Sequence, residues 1–109
     1  MFYQYTEAFP VEVMPGLIRR TLAEGGSMMI CEFTLEKGVE IPNHAHPQEQ
    51  IGYVASGRLK ITVNGESKEL GPGDCYFAPS GIPHGAIVLE KAVVVDTFNP
   101  PREDYRLKG

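Results

Sequence analysis

Glycine or proline interrupts this chain so often that no long helix has room to form. Twelve glycines and nine prolines fall among 109 residues. Both break helix interiors, one through backbone entropy and the other through a missing N–H and a steric clash. Between the interruptions the apolar residues alternate. Met29, Cys31, Phe33 and Leu35 alternate with Met28, Ile30, Glu32 and Thr34, the period-two pattern of a half-buried strand. Leu59, Ile61 and Val63 alternate with Arg58, Lys60 and Thr62. Asn64-Gly65 follows directly as a type I′ hairpin signal, with Glu66 to Leu70 as the returning strand. Further strands are expected at Leu17 to Leu22, Gln50 to Ala55, Cys75 to Ala78, Gly85 to Leu89 and Ala92 to Phe98. Glu24-Gly25-Gly26, Gly71-Pro72-Gly73 and Pro79-Ser80-Gly81 supply turn chemistry between them. So many short strands in a chain of one domain's length predict an all-β antiparallel sandwich, jelly roll or small barrel spanning residues 1–109. Room for a short helix remains only near the acidic N-terminus or after Pro100-Pro101.

Composition excludes several classes of function. Apolar runs such as Ala92 to Val95 are strand-sized and give no membrane span. A net charge of −4 without a basic block disfavours nucleic acid and anionic membranes as partners. The opening Met-Phe-Tyr-Gln-Tyr-Thr-Glu lacks the basic start and apolar centre of a secretion signal, so a cytoplasmic protein is expected. Cys31 and Cys75 lie outside any CxxC and are expected to be reduced core residues.

All three histidines fall in two segments marked by glycine and proline. In the first, five residues separate Gly38 from His44, three separate His46 from Gln50, and six separate Gln50 from Gly57. On a strand, His44 and His46 project from one face, the simplest way for extended backbone to aim two imidazoles at one ion. In the second, five residues separate Gly73 from Pro79, one leads to Gly81, and two more lead to His84. An isolated HxH is more often a pair of surface or core histidines than a metal site, and it is the surrounding glycine spacing that raises the metal reading.

This combined spacing resembles the paired motifs of the cupin superfamily, with motif 1 at 38–57, motif 2 at 73–88 and a compact fifteen-residue interval between Gly57 and Gly73. The resemblance implies a double-stranded β-helix, the cupin jelly-roll barrel, with one divalent transition metal inside its mouth. Two positions depart from the superfamily pattern: Gln50 stands where Glu is usual, and Val88 where Asn is usual. A carboxylate ligand cancels one unit of the ion's charge and an amide cancels none, so Gln50 implies weaker metal binding and stronger attraction for an anion. Glu49 is the alternative ligand. Strand parity admits only one of the two to the interior, and the spacing favours Gln50. Imidazole and oxygen ligands do not separate Zn, Ni, Mn, Fe or Co.

In Ala92 to Phe98, Val94, Asp96 and Phe98 share one face. An acid in so apolar a strand needs a partner or a purpose; the plain alternative is a strand-end Asp96 accepting backbone or arginine hydrogen bonds. Beyond it, Asn99-Pro100-Pro101-Arg102-Glu103-Asp104-Tyr105 places Arg102 to fold back over the barrel mouth or to remain a solvated charge. The runs His-Ala-His-Pro-Gln-Glu-Gln-Ile-Gly-Tyr-Val, Gly-Pro-Gly-Asp and Asp-Thr-Phe-Asn-Pro-Pro-Arg-Glu-Asp-Tyr resemble, within cupins, the KdgF family of pectin and alginate breakdown, including the Gln in place of Glu. That resemblance implies His44, His46, Gln50 and His84 as metal ligands, Asp96 as the acid–base group, and Phe98 and Arg102 as substrate contacts. It also implies conversion of cyclic 4,5-unsaturated monouronates into linear keto acids.

Two rival readings differ in class: a cupin dioxygenase using iron at the same ligands, and a non-catalytic metal- or sugar-binding module. A homodimer is expected from the cupin resemblance. The aromatic N-terminal segment (Met1, Phe2, Tyr3, Tyr5, Phe9) either pairs with a second copy or covers its own barrel.

Overall fold

The computed structural model describes residues 1–107. Eight strands run in chain order: β1 (Val11–Met14), β2 (Leu17–Glu24), β3 (Met29–Leu35), β4 (Glu40–His44), β5 (Glu49–Val63), β6 (Glu66–Leu70), β7 (Cys75–Ala78) and β8 (His84–Asn99). Every pairing is antiparallel, in the order β1-β2-β3-β8-β5-β6, with β4 added on β8 and β7 on β5. The helical content of the described residues is two three-residue 3₁₀ turns, Tyr5–Glu7 and Glu103–Tyr105. Among those residues no helix is long and apolar enough to cross a membrane.

Two expected pairs of strands prove continuous. The segments expected at 50–55 and 58–63 are one fifteen-residue β5, and those at 85–89 and 92–98 are one sixteen-residue β8. Pairing between the two strands continues across both interruptions, with irregularities of register between Val54 and Leu59. Both long strands bend back on themselves. Fully extended, His84 and Phe98 would stand about 46 Å apart at roughly 3.3 Å per residue. Their rings instead lie 4.8 and 6.1 Å from the ring of His46. The ends of β8 therefore meet at one mouth, and β5 follows, pairing Gln50 with Phe98 at its start and Val63 with His84 at its end.

Gly57 makes the bend possible. Its φ is +82°, and a Cβ there would overlap the Lys91 carbonyl oxygen and the Ala92 backbone. The other motif glycines serve differently. Gly38, Gly73 and Gly81 also have positive φ, but a Cβ on any of them would meet nothing within 4 Å, so conformation and not crowding selects them. Asn64 and Gly65, at φ 51° and 80°, close the expected β5–β6 hairpin.

Inside the roll, Leu17, Leu35, Val54, Leu59, Ile61, Val88, Ala92 and Val94 form the main core, and Met29, Cys31 and Phe98 a smaller one. Val88 is 1% exposed, a core residue far down β8 from His84. Cys31 is buried as expected, but Cys75 is exposed: it pairs with Tyr53 on the outward face of β5. Both are free thiols. The N-terminal segment does not line the barrel. Tyr3 donates to the Glu24 carbonyl and Tyr5 to the Glu32 carboxylate, along the outside of β2 and β3, while Met1, Phe2 and Phe9 are exposed. β1, unmarked in the sequence, is a short and mostly exposed strand on β2.

If crowding at the bend is the constraint, Gly57→Ala and Gly73→Ala will differ. A positive φ alone costs an L-residue about 1–2 kcal/mol, and overpacking adds about 1–3 kcal/mol. Urea unfolding should therefore place Gly57→Ala clearly below Gly73→Ala in stability; equal losses would contradict the role given to Gly57.

Candidate metal centre

At the mouth, β4 ends at His44 directly opposite His84, the first residue of β8, with ring centroids 4.4 Å apart. His46 lies in the turn before β5, and its ring is 5.6 Å from that of His44 and 4.8 Å from that of His84. Each imidazole is oriented by its own local backbone. His44 Nδ1 meets the Pro42 carbonyl at 2.9 Å, His46 Nδ1 the Gln48 carbonyl at 3.0 Å, and His84 Nδ1 the Ile82 carbonyl at 2.9 Å. A carbonyl accepts only, so each Nδ1 carries the proton and each Nε2 keeps its lone pair, as a metal ligand requires. One ligand atom from each of the three lies within 4.8 Å of the others. Bonds of about 2.1 Å to a shared ion limit such separations to about 4.2 Å, so the widest gap this allows closes by a fraction of an ångström.

Gln50 supplies the fourth polar group. It is 6% exposed, and its Oε1 lies 3.1 Å from His46 Nε2. A neutral imidazole has one N–H, yet both nitrogens of His46 face oxygen acceptors. Burial and the nearby Arg102 charge push the His46 pKa down, which disfavours the imidazolium that would satisfy both. His84 Nε2 is likewise buried with no hydrogen-bond partner, and burial lowers the His84 pKa. Lone pairs aimed at a shared point, with no proton to separate them, fit a cation. Among the described residues this is the one cluster of three His, Cys, Asp or Glu side chains close enough to hold one.

Behind Gln50 lies a row that sequence patterning does not expose. Tyr76, Gly52 and Asp96 pair side by side across β7, β5 and β8. The missing side chain at Gly52 is what lets the row connect: a Cβ there would overlap the Tyr76 ring and Asp96 Oδ1. In that space the Tyr76 hydroxyl donates to Asp96 Oδ1 at 2.7 Å and accepts from Gln50 Nε2 at 2.7 Å. Asp96 is thus buried mid-strand on a tyrosine, not at a strand end on backbone or arginine. Burial pushes its pKa up to about 6, against the lowering effect of the Tyr76 and Gln50 hydrogen bonds. Burial also holds the Tyr76 phenol well above its ordinary value.

Phe98 and Arg102 complete the mouth. Phe98 is 2% exposed, and Arg102 folds back so that its guanidinium lies 5.8 Å from the Phe98 ring centroid and 4.3 Å from that of Tyr105. Tyr105, which sequence reasoning passed over, fixes this tail by packing on Phe33 and Phe98 and by accepting the Thr21 hydroxyl on its carbonyl at 2.6 Å. Glu49 is exposed, as the parity rule places it, and accepts a hydrogen bond from Asn99. A cavity of about 170 Å³ opens here, lined by His44, His84, Gln50, Tyr76, Asp96 and Arg102 above an apolar floor.

The cupin domain family matches residues 31–98, a span that includes the histidines, Gln50 and Asp96. The pectin degradation protein KdgF of Dickeya dadantii (strain 3937) is 35% identical over 79 residues, covering 72% of each chain. The structure of KdgF from Halomonas sp. superposes with a TM-score of 0.92 at 33% identity, covering 97% of this chain and 98% of that one. An RmlC-like cupin from Shewanella frigidimarina gives the same TM-score at 32% identity, covering 96% and 95%. The chain belongs to the cupin domain family and, one level finer, to the KdgF family within it.

The space at Gly52 carries a direct test. Gly52→Ala should lower stability by about 1–3 kcal/mol through overpacking and, in a crystal structure, displace the Tyr76 ring from Asp96. A variant as stable as the parent with that hydrogen bond intact would show that the row does not depend on the glycine.

Proposed function

We propose that this protein is a metal-dependent enzyme that opens cyclic 4,5-unsaturated monouronates into linear keto acids during pectin or alginate breakdown. The observation that carries this reading is the meeting, in one small cavity, of a histidine cluster fit for a divalent ion, a buried acid and an arginine. His44, His46 and His84 through Nε2, and Gln50 through Oε1, would hold the ion. A bound divalent ion would supply Lewis acidity that steadies negative charge developing on sugar oxygens.

The rest of the chemistry is assigned to the chain. Arg102, the one Lys or Arg side chain among the described residues lining the cavity, offers its planar fork to the sugar carboxylate. Phe98 presents an apolar face to the ring. Asp96 accepts the proton of the C1 hydroxyl as the bond from C1 to the ring oxygen opens, leaving an aldehyde at C1 and an enolate at C5. The same proton delivered to C4 completes the keto acid, so the conversion is an isomerisation with no other reactant. A carboxyl held near 6 by burial suits a proton that is taken and returned near neutrality. The cavity volume is below the roughly 300–1,000 Å³ of pockets for drug-sized ligands, which favours a single sugar over an oligomer. KdgF of Dickeya, a pectin degradation protein, adds support by family.

Incubation with unsaturated galacturonate should give metal-dependent loss of its ultraviolet absorbance, abolished by a chelator and restored by added divalent ion. Asp96→Ala at saturating metal should lower kcat by about 10²–10⁴-fold with the ion still bound. Full activity in that variant would remove Asp96 from the chemistry. Arg102→Lys should act chiefly on KM, raising it about tenfold by loss of the two-pronged contact; an unchanged KM would remove the arginine from substrate binding.

A further inference from the structure

The row behind the histidines implies a role for a residue outside the proposed ligand and proton-transfer set. We propose that Tyr76 is a positioning residue that fixes which end of the Gln50 amide faces the metal site. The proposal rests on the reading above that Gln50 ligates through its oxygen.

An amide has an acceptor end and a donor end of nearly equal size, and either can turn toward the histidines. The two choices differ greatly for a cation: the oxygen attracts it and the NH₂ group repels it. Asp96, as a carboxylate, accepts only. The single hydroxyl proton of Tyr76 is therefore committed to Asp96 Oδ1, at 2.7 Å. With its proton committed, the Tyr76 oxygen can only accept from Gln50, and it does so from Nε2 at 2.7 Å. That leaves Gln50 Oε1 as the end directed at His46 and the triad. The direction of the whole chain is set at Asp96 and passed on by one hydroxyl. A flipped amide would leave Tyr76 facing two acceptors with one proton.

Glutamate, the residue usual at this motif position, needs no such device, since a carboxylate presents an oxygen whichever way it turns. Tyr76 is thus the compensation for the neutral ligand. The same hydroxyl ties the acid of the proposed reaction to a ligand of the proposed metal.

The test is a thermodynamic cycle on Zn²⁺ affinity, measured by competition between apoprotein and a chromophoric chelator with no sugar present. Tyr76→Phe keeps the ring over Gly52 and removes only the hydroxyl. It should weaken Zn²⁺ binding about 10-fold or more, the scale seen when partners of metal ligands are lost. Combined with Gln50→Glu, the same change should cost less than about threefold relative to Gln50→Glu alone, because orientation no longer matters. Asp96→Asn supplies a second route should Tyr76→Phe fold poorly. An amide at 96 no longer dictates the direction of the chain, so affinity should fall in the parent background and hold in the Gln50→Glu background. Unchanged affinity in both variants, or equal losses in the two backgrounds, would overturn the proposal. Failure of the wild-type protein to convert uronates would overturn the reading of the reaction and leave this cycle to judge Tyr76 separately.

Discussion

The bend shared by β5 and β8 is the constraint on which the rest of the molecule depends. Two antiparallel strands of fifteen and sixteen residues are hydrogen-bonded along nearly their whole length, and both return to the level from which they began. That geometry gathers His84, Phe98, Gln50 and the turn carrying His46 at one mouth, although they span more than fifty positions of sequence. It also turns Val54, Leu59, Val88 and Ala92 into a closed core below. The bend rests on close backbone approach between Gly57 and Lys91, which no side chain at position 57 could share. Scaffold and site are therefore one feature. The core holds the long ribbon curved, and the curvature brings the polar groups together.

Polarity within the mouth is ordered with equal economy. Each histidine is oriented by a carbonyl within two residues of it, so three rings point their lone pairs inward without help from distant parts of the chain. The fourth group is an amide, which adds no charge to the site. A divalent ion held there would keep its full positive charge toward the cavity, where Arg102 adds another, in a protein whose net charge is −4.

Much of this was legible before the structure. Period-two alternation exposed most of the strands, because each buries one face and wets the other. The spacing of glycines around His44, His46 and His84 identified the histidine cluster. Parity placed Gln50 inside and Glu49 outside, and the fold leaves the first 6% exposed and the second on the surface. What escaped has physical reasons. β1 has little burial to leave a pattern. The continuity of β5 was hidden because a bulged bend and a true turn both use a residue such as Gly57, and that of β8 because the charged pair Glu90-Lys91 interrupts its apolar alternation. Cys75 was misplaced because a small sulfur side chain on an outward position looks, in sequence, like a core residue. The Tyr76–Gly52–Asp96 row was invisible because it depends on register across three strands, which no local pattern encodes. The one available signal was a glycine inside an otherwise regular strand, at the position where another backbone or ring comes close.

The central claim is that three imidazoles and the Gln50 oxygen surround one ion. A crystal structure of the protein grown with a divalent transition metal, with anomalous scattering recorded at that metal's absorption edge, tests it most directly. The account predicts a single strong peak about 2.1 Å from the Nε2 atoms of His44, His46 and His84, with Gln50 Oε1 as the fourth protein ligand. A peak bound by Glu49, a peak bound through any Nδ1, or no peak among these residues would contradict it.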